Sequence, residues 1–554
     1  MSFLKSLVSS QSLSGRQQYE VSDIVSTSET SLQVDLLQSP SLSCRNHYRE
    51  HPDTADKPRC NCGVVGVYNH PSASVMAYYA LHALQHRGQE AAGIVARRFD
   101  EEKNRQQFAI HKAPGLVLDV FKEPHILQDD LRGTAAIAHN RYSTTGSAKN
   151  DNIQPFYIKY RAGNLALAHN GNLVNTRALR TDLQNEGAIF QGTTDSELFL
   201  HLIARSKAEN QFEQILLALR QTRGAYSVVF LTDTALVAAR DPHGFRPLCI
   251  GRKLVRHDDG TESYSYMVVS ESCALDIISA EFVRDIRHNE MIVIDEDTVR
   301  TGEIKSFIID EVTPTSCHCI FEYIYFSRPD SRIFGHQVDK VRRKLGKSLA
   351  EEHPVEPNNP DDEKVIAIPV PDSANTAALG YAQHSQKMGR RVRYELGLIR
   401  SHYVGRTFIA PGQAERTFKV KTKFNVVRGV LKGRKTVVID DSIVRGTTSK
   451  ALVHLIREAE PSEVHLRISS PPITHPCYYG MDFPSRNELI ANLYDSQEDR
   501  IAESLGADSV RYLSVGKLME SVPQEKGVGY CTACFTGEYP VAIERGAGKL
   551  STEE

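Results

Sequence analysis

The chain has 554 residues, of which 40% are hydrophobic and 24% charged, and its formal net charge is −2. That composition excludes a wholly disordered, collagen-like or disulfide-scaffold protein. The balanced charge supplies no global positive field for nucleic acid or an anionic membrane, so an anionic ligand has to be met by a local site. Ten cysteines are too sparse for a secreted framework. They point to a reducing compartment, read as the cytoplasm, with a few thiols kept for chemistry or metal.

Residues 1–61 are Ser-rich without a long periodic apolar face and read as a disordered leader or propeptide. The run Phe3-Leu4-Lys5-Ser6-Leu7-Val8 is too short and broken for a secretory signal. Glu20, Asp23, Glu29 and Asp35 argue against an organelle transit peptide. The next methionine after Met1 is Met76, so a chain beginning at 62 requires proteolysis or a non-AUG start.

From Cys62 the sequence turns to short β-rich runs, such as Val64-Val65-Gly66-Val67-Tyr68 and Leu165-Ala166-Leu167-Ala168-His169. Helical spacing predicts helices over 73–86 and 194–207, and Asp258-Asp259-Gly260 reads as a hairpin turn. Many strands with few helices between them predict stacked sheets flanked by helices over 62–300. A second domain is expected over 301–505. Its apolar strands at 365–370, 436–439 and 464–468 alternate with helices, over 374–388 and from Thr447, which predicts a parallel sheet covered on both faces. Segment 353–363 reads as a surface insertion, and 506–554 as a tail with little core.

Cys62-Gly63-Val64-Val65-Gly66 places a thiol at the head of a buried strand. A cysteine at a newly exposed chain end carries its own base, because an α-amino group titrates at about 7.7–8.0 and can take the thiol proton. Asn170 and Gly171 can donate side-chain and backbone N–H groups to an oxyanion. Arg141 suits an α-carboxylate and Asp195 an ammonium. In order, Cys62, "LQHRGQEAAGI", "HNRYSTTG", "HNGN" and "TTDSE" resemble the class II glutamine amidotransferase domain. The resemblance implies a four-layer αββα N-terminal-nucleophile hydrolase fold. It makes Cys62 the nucleophile, Asn170 and Gly171 the oxyanion hole, and Arg87, Arg141 and Asp195 glutamine-binding. His86 and His139 read as structural, and Cys60 as a weaker rival nucleophile that lacks the following Gly-x-x-Gly.

The string Thr436-Val437-Val438-Ile439-Asp440-Asp441-Ser442-Ile443-Val444-Arg445-Gly446-Thr447-Thr448 ends an apolar strand in two carboxylates. A loop of small and hydroxylated residues then opens a helix. Backbone N–H groups at a helix start bind phosphate, and carboxylates at the edge of a parallel sheet suit ribose hydroxyls and Mg²⁺. The string resembles the phosphoribosyltransferase signature that binds phosphoribosyl pyrophosphate (PRPP), which implies a type I α/β fold. Asp440, Asp441, Ser442, Arg445, Gly446, Thr447 and Thr448 are then PRPP-binding. Ser373, in Pro369-Val370-Pro371-Asp372-Ser373, joins them as a pyrophosphate-loop residue. One Mg²⁺ per subunit is expected at Ser373, Asp440 and Asp441. Tyr403-Val404-Gly405-Arg406 resembles the loop that closes over PRPP, with Arg406 facing pyrophosphate. Arg400-Ser401-His402, ahead of it, stands where relatives carry Lys-Asn-Arg.

Cys531-x-x-Cys534 is half of a metal site or a redox pair, and Cys273 and Cys477 are further candidates. Four thiolates can hold Zn²⁺ or a [4Fe–4S] cluster, and spacing does not choose between them. Both halves together resemble the iron–sulfur subfamily of the amidophosphoribosyltransferases. That implies one structural [4Fe–4S] cluster per subunit on Cys273, Cys477, Cys531 and Cys534. Cys317-His318-Cys319 reads as packing at the start of an apolar strand, 320–324. The resemblance further implies release of ammonia from glutamine and its transfer to C1 of PRPP, feedback inhibition by purine nucleotides, and a homotetramer, with neither nucleic acid nor membrane as partner. The competing readings are a PRPP sensor without turnover and another class II amidotransferase.

Overall fold

The computed structural model describes residues 62–142, 150–256, 260–357, 365–401 and 423–544. The expected leader, the PRPP-closing loop with Arg406, and most of the 353–363 insertion lie outside the described residues.

A seven-stranded sheet runs, in spatial order, Glu281–Asp285, Cys249–Arg256, Glu262–Val269, Gly63–Tyr68, Ala135–Arg141, Ala91–Asp100 and Arg105–Pro114. A six-stranded sheet runs Lys305–Ile308, Glu290–Ile294, Leu236–Arg240, Gly224–Thr232, Gly163–Leu173 and Phe156–Tyr160. The two sheets face each other through Val64, Val95, Ile137, Ala166, Ala168, Val229 and Leu236. The small residues in this layer let the sheets approach closely. A Cβ on Gly66 would stand 2.9 Å from both Leu236 and Val229.

Helix Ala73–Ala83 covers the outer face of the first sheet. Helices Thr176–Asn185, Glu197–Arg205 and Gln211–Gln221 cover the second. The result is the expected four-layer αββα arrangement. The expected helices at 73–86 and 194–207 are shorter, because Leu84 leaves helical geometry and Ser206 turns extended.

A five-stranded parallel sheet follows, in the order Val392–Tyr394, Val365–Pro369, Lys435–Asp440, Glu463–Ile468 and Ser509–Tyr512. Helices Val338–Glu352 and Asn375–Lys387 pack on one face and Thr447–Arg457 and Glu498–Leu505 on the other. Each strand is apolar because both its faces are covered. Strand Ser316–Cys319 pairs in parallel with Val528–Cys531 and draws the C-terminal segment onto the junction between the two sheet systems. The strand expected at 320–324 is instead a helical turn, Glu322–Phe326. Ile320, Phe321, Tyr323, Ile324 and Phe326 are all buried, and a continuous apolar run satisfies a buried helix as well as a strand. Among the described residues, no helix is long and apolar enough to cross a membrane.

The helix pair Val338–Glu352 and Asn375–Lys387 meets at glycines. A Cβ on Gly346 would stand 1.9 Å from the Ala377 carbonyl oxygen. We expect Gly346→Ala to lower unfolding stability by about 1–3 kcal/mol, the usual cost of overpacking, as read by denaturant titration. Gly429→Ala, which meets nothing within 4 Å, serves as the control, and equal midpoints for the two variants would contradict this packing.

Candidate active sites and a thiol pocket

Cys62 immediately precedes the central strand Gly63–Tyr68 and is 7% exposed. Its Sγ lies 3.4 Å from both the carbonyl oxygen and the amide nitrogen of Tyr142. The Gly63 N–H donates to Asn140 Oδ1 at 2.6 Å and the Val64 N–H to Ser270 Oγ at 3.0 Å. These bonds fix the backbone on which the thiol sits. Burial pushes the thiol up to about 11, opposed by the Tyr142 N–H and the Arg141 charge and reinforced by Glu90 and Asp195. Below that pH the thiol stays protonated, so attack requires an adjacent base.

Arg141 ends the neighbouring strand and is itself buried, with Cys62, Glu90 and Asp195 favouring its charge against desolvation. Asp195, 3% exposed, accepts the Leu173 N–H at 2.8 Å. The fold thus brings Cys62, Arg141 and Asp195 into one electrostatic neighbourhood. Asn170 comes from the second sheet. It is fully buried, and among the described residues neither of its side-chain polar atoms has a hydrogen-bond partner. An unsatisfied buried amide costs about 1–3 kcal/mol, and an incoming oxyanion would supply an acceptor for its N–H. Gly171 has φ +150°, and a Cβ there would stand 2.0 Å from the Ala225 oxygen, so only glycine fits.

The histidines are held as structural groups. His139 Nε2 meets the His169 carbonyl at 3.1 Å, and burial pushes the ring down to about 3, leaving it neutral at physiological pH. His86 Nε2 lies 2.8 Å from Glu271.

Arg87 lies buried among protein partners. The resemblance implied contact with glutamine, yet its side chain is 0% exposed. Its Nε donates to the Cys62 carbonyl at 3.3 Å, and its terminal nitrogens donate to Glu271 and, at 2.8 and 3.0 Å, to Glu322. With these donors spent inside the protein, Arg87 supports the nucleophile from beneath. Burial would lower both the Arg87 charge and that of its carboxylates, but mutual attraction reverses this. Glu322 and Glu271 hold Arg87 above its ordinary value, and both carboxylates titrate below theirs. Glu271, Glu322 and Arg246 escape a motif reading because the two carboxylates meet Arg87, and Arg246 meets Glu322, only through tertiary contacts between residues up to 235 positions apart.

The second site lies at the C-terminal edge of the parallel sheet. Strand Lys435–Asp440 delivers Asp440 and Asp441, 4% and 1% exposed. The Asp441 N–H donates to Asp440 Oδ1 at 2.9 Å. Asp441 accepts Ser373 Oγ at 2.6 Å and Ser442 Oγ at 2.7 Å, which joins the turn after strand Val365–Pro369 to the acidic loop. Gly446, at φ +80°, opens helix Thr447–Arg457. A Cβ there would stand 2.4 Å from Ile490, so the left-handed turn and the packing both demand glycine. Thr447 is exposed, Thr448 half-buried, and Arg445 is paired with Glu488 at 3.1 Å. Arg400, on strand Leu398–Arg400, reaches Asp372 at 3.0 Å. Ser373, Asp440, Asp441, Ser442, Arg445, Gly446, Thr447 and Thr448 therefore share one edge, with carboxylates on one side and a helix start on the other.

The structure does not bring all four predicted cluster thiols together. Cys477, Cys531 and Cys534 line one cavity with Cys319, among Phe245, Phe321, Tyr479, Met481 and Tyr539. Cys273 is elsewhere, in the core beneath helix Ala73–Ala83, with its Sγ 3.9 Å from Glu271. The physical reason is the register of the parallel pair, which sets Cys319 directly opposite Cys531. Burial raises the Cys319 thiol to about 11 and pushes Cys531 and Cys534 well up, each further raised by the neighbouring thiols. Among the described residues, no three His, Cys, Asp or Glu side chains converge to hold a single metal ion. The four thiols surround a space instead of meeting at a point.

Residues 139–259 match the family model described as a glutamine amidotransferase domain. The chain is 47% identical over 92% of its length to amidophosphoribosyltransferase 1, chloroplastic, of Arabidopsis thaliana, covering 85% of that protein. It is 43% identical over 87% of its length to amidophosphoribosyltransferase of Bacillus subtilis, covering 94% of it. It is also similar to a solved structure, the glutamine PRPP amidotransferase from B. subtilis complexed with ADP and GMP. That match has a TM-score of 0.77 and 41% identity, over 89% of this chain and all of that one. Identity of this level along nearly the full length, spanning the nucleophile and the acidic phosphate cradle alike, places the chain in the amidophosphoribosyltransferase family.

Proposed function

We propose that this chain catalyses the committed step of purine biosynthesis, taking ammonia from glutamine and placing it on C1 of PRPP. The observation that carries the reading is the presence, on one chain, of a buried cysteine, of a buried Asn170 whose side chain has no hydrogen-bond partner among the described residues, and of an acidic, glycine-turned phosphate cradle. A sensor without turnover has no use for the first, and a sugar-isomerising amidotransferase has none for the second.

At the first site, the α-amine released by scission before Cys62 takes the thiol proton. Arg141 holds the glutamine α-carboxylate and Asp195 the ammonium. Sγ attacks the amide carbon, Asn170 and Gly171 donate to the oxyanion, and ammonia leaves as the thioester forms. Water then releases glutamate. At the second site, ammonia displaces pyrophosphate from C1, giving 5-phosphoribosylamine. The helix start at Thr447–Thr448 binds the 5′-phosphate, and Asp440 and Asp441 meet the ribose hydroxyls. Mg²⁺, which Ser373 and the two aspartates suit through their oxygen donors, neutralises departing pyrophosphate when bound. Free ammonia is mostly protonated at neutral pH, so an enclosed passage between the sites is required.

For the thiol pocket we propose a [4Fe–4S] cluster on Cys319, Cys477, Cys531 and Cys534. Four sulfurs around an apolar, aromatic-lined space suit a polynuclear cluster better than one tetrahedral ion. The cluster would tie the C-terminal segment to the junction. Purine nucleotides, the class named in the B. subtilis complex with ADP and GMP, are read as feedback inhibitors, since their 5′-phosphates suit the same cradle. We further propose a homotetramer and a cytoplasmic location, the latter supported by the sparse cysteines, which are unpaired among the described residues.

Cys62→Ser should abolish glutamine-dependent synthesis and leave ammonia-dependent synthesis intact; loss of both would refute two separate sites. Asn170→Ala should lower glutamine turnover by about 10²–10³-fold, the usual effect of removing one oxyanion donor, with ammonia use unchanged. Anaerobically purified protein should hold iron and acid-labile sulfide at about four each per chain. Cys319→Ser should lose that iron and Cys273→Ser should keep it, whereas the opposite pattern or zinc in its place would overturn the assignment.

A further inference from the structure

Beneath the nucleophile, the ion pairs do not end at Arg87. Glu322 Oε1, which accepts from Arg87 at 2.8 Å, also accepts from Arg246 Nη1 at 3.2 Å. Glu322 Oε2 accepts from Arg87 at 3.0 Å and from Ser327 Oγ at 2.8 Å. Arg246 in turn clamps the Tyr479 carbonyl with Nε at 3.2 Å and Nη2 at 2.7 Å. The Tyr479 N–H donates to Cys477 Sγ at 3.3 Å, and the Tyr479 ring stacks on Phe245 at 4.4 Å. Arg87, Glu271, Glu322 and Arg246 are all 0% exposed.

The arrangement is a continuous buried chain from the Cys62 carbonyl through Arg87, Glu322 and Arg246 to a backbone carbonyl beside the thiol pocket. Two guanidinium groups balance two carboxylates, so removing one member leaves an uncompensated buried charge. The carbonyl of the nucleophilic residue itself is one of the groups held. A shift of Arg87 therefore moves the backbone that aims Sγ, and misplacement of about 1 Å costs orders of magnitude in an attack geometry.

We propose that Glu322 and Arg246 are positioning residues for the glutamine step: through Arg87 they fix the Cys62 backbone, with the Tyr479 carbonyl as the far anchor. Neither residue touches glutamine. Their effect falls on the orientation of the thiol, whereas the PRPP cradle is held by its own bonds among Ser373, Asp440, Asp441 and Ser442. This inference rests on the glutamine-dependent reading above, and glutamine-dependent phosphoribosylamine synthesis by the wild-type protein tests that reading separately.

The experiment compares full-length wild-type protein, Arg246→Met, Arg246→Lys and Glu322→Gln. The readouts are the rate of Cys62 labelling by a glutamine-like diazoketone and ammonia-dependent phosphoribosylamine formation. Arg246→Met and Glu322→Gln should slow labelling at least tenfold while ammonia-dependent synthesis stays within twofold. Arg246→Lys keeps the charge but loses the two-pronged clamp and should fall between wild type and Arg246→Met. Parallel loss of labelling and ammonia-dependent synthesis in Arg246→Lys would show a merely structural role and overturn the proposal. Labelling at the wild-type rate in any of the three variants would overturn it as well.

Discussion

A thiol sealed at the end of a central strand does not ionise at neutral pH. Cys62 is 7% exposed, and burial raises it to about 11. The surrounding fold answers that constraint. Arg141 and the Tyr142 N–H favour the thiolate without lowering it to working pH, and the neighbouring histidines are committed to structural bonds, His139 as a neutral ring. On the proposed reading the base is built into the cysteine residue itself, as its own α-amine. The tight packing of Gly63 against Asn140, the closed donor set of Arg87 and the paired sheets all serve to hold that residue still.

Rigidity at the nucleophile and openness at the cradle follow from different layer architectures. Two sheets packed face to face enclose the cysteine between layers, where Asn170 can come from one sheet and Arg141 from the other. A parallel sheet covered on both faces leaves only the ends of its strands for chemistry. Asp440, Asp441 and Ser373 stand at those ends, with a helix start beside them. The segment around Glu322 joins the two systems: it follows the strand that carries Cys319, and its carboxylate sits under the nucleophile.

Much of this was legible in the sequence wherever function depends on residues close together along the chain. The acidic strand end with its glycine turn at Gly446 needs only a strand, a loop and a helix in succession. The Cys-Gly strand head and the Asn170-Gly171 pair are likewise local. What failed was long-range convergence. The sequence reading favours Cys273 and takes Cys319 as packing, whereas the register opposes Cys319 to Cys531. The partners of Arg87 are hidden from a sequence reading for the same reason. An arginine in a motif looks available for ligand until Glu271 and Glu322 appear from distant segments and take its donors. The strand expected at 320–324 failed because uniform burial erases the periodicity that separates strand from helix.

The proposed glutamine chemistry rests on a free α-amine at Cys62. N-terminal sequencing of the purified polypeptide while it is turning over glutamine tests it most directly. The account predicts a chain beginning Cys62-Gly63-Val64. Full glutamine turnover by a chain that still carries residues ahead of Cys62 would contradict it.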